Sequence, residues 1–368
     1  MVESGAGKGR GEAADLRDGL ARMESWIDGF PDQLRGAIAR GREIGWPGAA
    51  AAPAARGLFL GGMGGSAMAG RLAALILQPD LRIPIVVQAD PELPRWVDGS
   101  VSLGIASYSG ETWEALALAD AAAERGISPW VVASGGRLEA YPAASASFHA
   151  EPGMQPRAAL GWMLVPILLC WAASAGRAVA MEQELRAAAD LLAGEADLWR
   201  AGRALPGRNP RELADRLAGQ VPVLYAESEA ERVLAIRWRC QFSENAKRFA
   251  LENAFPELVH NEIEGWADLG RVCRAAVVRL EGTGIREPRL APVLSAAESE
   301  WRRVGFEVVF VPSHGEGRMA RILSQVLLGD RVSLELARRG GVDPVPVEAI
   351  QRLRRAVAGA GMRKQEER

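Results

Sequence analysis

The sequence predicts an α/β protein built from two doubly wound parallel-sheet domains with flanking helices. Three observations carry that reading. The chain has 368 residues, roughly twice the usual length of one domain. Short apolar runs alternate with longer stretches of helix-like composition, the pattern of parallel strands covered by helices. A Pro/Gly break, LPGRNP at 205–210, interrupts this alternation, which then starts again. The expected division is an N-terminal domain over 1–205 and a C-terminal domain over 206–368.

In the first half, runs such as GLFL and WVVA are apolar but too short for helices. They place strands at 57–60, 83–88, 101–106, 130–133 and 146–150. Helices are expected between them at 67–77 and 112–125, and two long ones, 158–175 and 182–204, close this half. In the second half, strands fall at 221–226, 275–280 and 306–311, and helices at 230–252, 290–304, 319–338 and 347–359. The stretch 158–176 carries no charge over 19 residues, which is long enough to cross a bilayer. Its Pro166 and its place between α/β segments favour a helix buried in the protein or in a dimer interface.

Composition narrows the function. With 44 basic against 46 acidic residues, the net charge is −2, so neither nucleic acid nor an anionic membrane is the expected partner. A small ligand in a local site is the better expectation. Cys170, Cys240 and Cys273 are scattered without CxxC spacing, which fits a reducing cytosol and no zinc or disulfide framework. The first fifteen residues lack the apolar core of a signal peptide, so a cytoplasmic location is expected.

Two loops carry the chemistry. In LFLGGMGGSA (58–67) a strand runs into a glycine-rich turn, then a serine, then a helix. Glycines allow close backbone approach, and the helix start offers free N–H groups to an anion. Gly64, Gly65 and Ser66 are the residues that would touch it. No Gly-Lys-Ser/Thr follows, so this is not a Walker loop. In GIASYSGET (104–112) a second strand enters a second helix, and Ser107, Ser109 and Thr112 form a donor-rich cup suited to a phosphate monoester. Hydroxyls there can also act as plain helix caps. Two such loops at one edge of a parallel sheet point to a shared site.

This pair of loops resembles the sugar isomerase (SIS) domain, which binds phosphosugars through the second loop. Glu111 stands where that family usually has Asn, and it is expected to point away from the phosphate. The second half is more specific. RWRCQFSENAK (237–247) and FPELVHNEIEGW (255–266) resemble the C-terminal domain of the bifunctional phosphoglucose/phosphomannose isomerases, as does DPVPV (343–347) before a last helix. The resemblance covers 57–355 and implies two SIS-type doubly wound domains. It implies an aldose–ketose isomerase acting on glucose 6-phosphate and fructose 6-phosphate, with mannose 6-phosphate as a second substrate. Such a reaction moves a proton between C1 and C2 through a cis-enediolate, and needs a base, a cation for the oxyanion and a ring-opening acid.

By the same resemblance Glu244 is the shuttling base, His260 the ring-opening group and Arg157 the cation facing the enediolate. His260 is implied to reach in from a second subunit of a homodimer. No metal or organic cofactor is implied. Glu257, Glu262 and Glu264 flank His260, and any of them could orient the imidazole. Lys247, at i+3 from Glu244, can pair with it. The chain departs from the family pattern at Ser243 and Val259, each in place of Asn, and at Arg354 in place of Lys. Arginine does not exchange its proton as lysine can. The alternative of another class is a non-catalytic module that binds or senses a sugar phosphate.

Overall fold

The computed structural model describes residues 5–45, 55–282 and 289–356, with side chains from residue 14 onward. Two helices open it, α1 (Gly5–Asp28) and α2 (Phe30–Ile44). The first sheet then forms from β1 (Gly57–Gly62), β2 (Ile85–Gln88), β3 (Val101–Ala106), β4 (Trp130–Ala133) and β5 (Ala146–His149). Helices α3 (Gly64–Leu77), α4 (Trp113–Glu124) and the short α5 (Gly136–Glu139) lie between them, and α6 (Leu160–Ser174) and α7 (Ala178–Arg200) follow. All pairings are parallel, in the order β2-β1-β3-β4-β5.

The second half begins at α8 (Pro210–Leu217), which Asn209 caps by accepting the Arg211 and Glu212 N–H groups. Its sheet holds β6 (Val221–Ala226), β7 (Leu251–Ala254), β8 (Ala275–Leu280) and β9 (Glu307–Val311). The order is β7-β6-β8-β9, again all parallel, so it repeats the first sheet's winding with one strand fewer. Helices α9 (Arg232–Glu244), α10 (Trp266–Val272), α11 (Leu290–Arg303) and α12 (Gly317–Gly340) accompany it. A final helix, α13, covers 348–356; residues 357–359 of the expected helix lie outside the described residues.

One expected helix is corrected. The stretch 230–252 is not continuous: α9 stops at Glu244, and Leu251–Ala254 pairs with β6. The break follows from the backbone at Lys247, whose φ of +54° no helix accommodates. The apolar stretch 158–176 forms α6, which is buried on nearly every face against α2, α3 and α7. Small residues allow the close crossing: a β-carbon at Gly161 would fall 2.6 Å from the Gln33 side chain of α2. Among the described residues, no helix is long and apolar enough to cross a membrane.

A single apolar cluster runs from α2, α3 and α6 through α7 and α12 to the second sheet. Smaller clusters fill the other face of each sheet. Two buried ion pairs stand in this core, the first across the two halves and the second within the C-terminal half. Arg208, in the Pro/Gly break, meets Glu195 of α7 at 2.5 Å, and Arg237 of α9 meets Asp330 of α12 at 2.6 Å. Burial raises the Asp330 carboxyl above its usual range and Arg237 opposes this, so the pair stands only while both partners are present.

Candidate active site

From β1 the chain passes first to β2 on one side and then to β3 on the other. The crevice beyond the carboxyl ends of β1 and β3 is therefore the topological switch point, where open α/β sheets take ligands. Both loops singled out from the sequence border it. After β1, Gly64 takes a φ of +51°, which glycine adopts freely. A β-carbon at Gly65 would come within 3.0 Å of the Pro156 carbonyl and 3.4 Å of Arg157 N. The turn thus lies against the backbone that carries Arg157.

After β3, Ser107 Oγ and Thr112 Oγ1 are 2.8 Å apart, and Ser66 Oγ accepts the Tyr108 N–H at 3.2 Å. Ser66 and Ser107 are buried, Thr112 is half-buried, and Ser109, which accepts the Glu111 N–H, is exposed. The Glu111 carboxylate is taken up by the Arg137 N–H at 2.8 Å and Nε at 2.9 Å. Those hydrogen bonds from Arg137 hold its carboxyl below the usual range. At the matching switch point of the second sheet, a carboxylate that follows β6 is tied to the end of β8. Glu227 accepts the Gly282 N–H at 3.2 Å and pairs with Arg279.

The two halves meet at Glu244. Its side chain, a third exposed, opens into a pocket of about 620 Å³ lined by Ser243, Lys247, Asp343, Val347 and Ile350 among others, a size suited to a small ligand. Arg157, 4% exposed, reaches it from the first half. Arg157 Nη1 donates to Glu244 Oε2 at 3.4 Å and to Gln155 Oε1 at 3.2 Å, and Nε donates to Asn245 Oδ1 at 2.6 Å. Burial lowers the guanidinium's pKa and Glu244 opposes that shift, yet an arginine remains charged throughout. Asn245 is fully buried and passes a second hydrogen bond to Ser333 of α12. Arg237 donates to the Arg157 carbonyl at 2.8 Å while holding Asp330. The sequence pointed to neither Asn245 nor the Arg237–Asp330 pair.

The histidines and Arg354 are not among the residues that line this pocket. His260 ends a 3₁₀ turn (Glu257–His260), is exposed, and makes no hydrogen bond or ion pair among the described residues. None of its acidic neighbours is bonded to the imidazole. Glu262 is held by Tyr225 and Asn253, and Glu257 accepts from Asn261. His149 is hydrogen-bonded to Glu139, while His314 offers its backbone N–H to Ser324. Arg354 is exposed on α13, one turn beyond Ile350 of the pocket wall and on the same helix face. Lys247 does not pair with the Glu244 carboxylate as expected; its ammonium bonds main-chain carbonyls instead.

The profile of a family described as bacterial phospho-glucose isomerase C-terminal SIS domain matches residues 208–357. The chain is 31% identical to the bifunctional phosphoglucose/phosphomannose isomerase of Caldicellulosiruptor bescii, over 81% of this chain and 88% of that protein. For the enzyme of the same description from Thermoplasma acidophilum, identity is 30% over 82% of this chain and 89% of the other. Among solved structures, the C-terminal domain of glucosamine-fructose-6-phosphate aminotransferase from Francisella tularensis superposes with a TM-score of 0.70. That match covers 88% of this chain and 98% of the other at 13% identity, a likeness of fold.

Proposed function

The chain belongs to the bifunctional phosphoglucose/phosphomannose isomerase family, and on that premise we propose that it interconverts glucose 6-phosphate and fructose 6-phosphate, with mannose 6-phosphate as a further substrate. Membership makes it a sugar-phosphate isomerase and decides against the non-catalytic binding module. The observation that carries the residue assignment is the Glu244 carboxylate facing Arg157 Nη1, on a backbone that abuts the Gly65 turn.

In this reading the 6-phosphate sits in the cup of Gly64, Gly65, Ser66, Ser107, Ser109 and Thr112. Hydroxyls and helix N–H groups there supply donors without a lysine. Glu244 takes the proton from C2 of the aldose and returns it to C1. Arg157 Nη1 stabilises the enediolate oxygen that forms between the two transfers, a fixed charge in a dry setting. His260 opens the ring from the partner subunit of a homodimer, a placement supported by its exposure and by its absence from its own chain's pocket lining. Arg354 holds a sugar oxygen as a permanent cation and takes no part in proton relay. The reaction is an internal proton transfer, so these side chains suffice without a metal or organic cofactor.

We place the enzyme in the cytoplasm, in keeping with three free cysteines. The division at 205/206 remains our domain assignment, supported by the Pro/Gly break and by a family match that begins at 208. A coupled assay on the three hexose 6-phosphates tests the substrates. Glu244→Gln should lower turnover by about 10²–10⁴-fold with 6-phosphate binding kept, because a carboxamide cannot accept the proton. Residual activity above about a tenth would dismiss Glu244 as the base.

A further inference from the structure

Residues 343–347 cross from α12 to α13 as a strap and form one wall of the Glu244 pocket. Three successive carbonyls of the strap are held by two cations, the buried Arg157 and Lys247 of the pocket lining. Arg157 Nη2 donates to the Pro344 oxygen at 2.5 Å and to the Val345 oxygen at 3.2 Å. Lys247 Nζ donates to the Pro346 oxygen at 2.7 Å and to the Glu244 carbonyl at 2.6 Å. The ammonium therefore bridges the residue that carries the base and the wall that faces it. Among the described residues it forms no ion pair, so these carbonyls are its partners.

The backbone supplies a second observation. Lys247 is the one non-glycine residue with positive φ among those described. Glycine would adopt that conformation without strain, and strained positions persist where a side chain has work there. We infer that Lys247 is a positioning residue, whose ammonium staples the strap to the Glu244 turn and so fixes the width of the substrate pocket. The inference rests on the reading of the Glu244 pocket as the sugar site. Burial, aided by Arg157, lowers the Lys247 pKa, as expected of an ammonium withdrawn from water to bind carbonyls.

The test uses the full-length chain and hydrogen–deuterium exchange. Lys247→Met should speed amide exchange across residues 345–356 by at least about tenfold, while β1, β3 and β6 keep their protection as the internal control for folding. Lys247→Gly, which relieves the strain but also lacks the staple, should loosen the strap equally. The KM for fructose 6-phosphate should rise about tenfold with kcat changed less than about threefold, and Lys247→Arg should restore both strap and KM. Unchanged exchange in Lys247→Met, or no recovery with arginine, overturns the assignment. Exchange is read without turnover, so a loosened strap with unchanged KM would leave the staple standing and remove the sugar from this pocket.

Discussion

Ser107 and Thr112 hold their oxygens 2.8 Å apart at the mouth of the β3 loop, and each hydroxyl can turn its proton to an incoming anion. A hydrogen bond to a charged group contributes about 1.5–3 kcal/mol. Ser107→Ala combined with Thr112→Ala is therefore expected to weaken hexose 6-phosphate binding by about 2–5 kcal/mol, allowing for imperfect additivity. Titration calorimetry with the phosphorylated and the neutral sugar checks this; equal losses for both would place the phosphate elsewhere. These hydroxyls were legible in the sequence because they share one loop. Asn245 was not, since its use depends on partners 88 residues away in each direction, Arg157 and Ser333. Lys247 shows the same limit, for helical spacing suggested the Glu244 carboxylate and the left-handed turn gave it carbonyls instead.

At the scale of elements, the strand-turn-helix unit around β1 was readable because glycine's role there is local. Its fit to the rest of the fold was not. A β-carbon at Gly65 would crowd the Pro156 carbonyl at 3.0 Å, so the backbone there would have to give way. Gly65→Ala should cost about 1–3 kcal/mol in urea unfolding, and the strain should pass through Pro156 to Arg157. We expect kcat/KM to fall further than the lost stability accounts for. Gly99→Ala, with nothing within 4 Å, is the control and should change neither. If both variants kept full activity, the contact between the turn and Arg157 would carry no catalytic weight. The opening helices escaped the sequence reading for a different reason. In α2, Phe30, Leu34, Ala37, Ile38 and Gly41 form a buried stripe, but intervening arginines and glycines dilute it, and the stripe gains meaning only against α6 and α7. The stretch 230–252 was misread because composition stays helical across a turn that one residue's backbone imposes.

At the scale of the molecule, the two sheets wind alike, but at the switch point of the second Glu227 is tied to Gly282 and Arg279. We propose one sugar site per chain, at the switch point of the first sheet, with Arg157 and Glu244 contributed by the two halves. His260 does not line the Glu244 pocket: it is exposed, and its acidic neighbours are engaged elsewhere or apart from the imidazole. If the imidazole serves the partner's site, Glu244 and His260 of one chain never act together, and two dead variants should repair each other. Consider Glu244→Gln and His260→Ala chains combined by co-expression. Random pairing makes about half of the dimers mixed, and in a two-fold dimer each mixed pair holds one site with both groups intact and one with neither. About a quarter of wild-type specific activity is then expected from two inactive parents. The check is turnover of fructose 6-phosphate by the purified mixture, against each variant alone. With both groups acting within one chain, every site in the mixture would carry a defect. Activity would stay at the parental level, and His260 would have to reach Glu244 by a movement of its own turn.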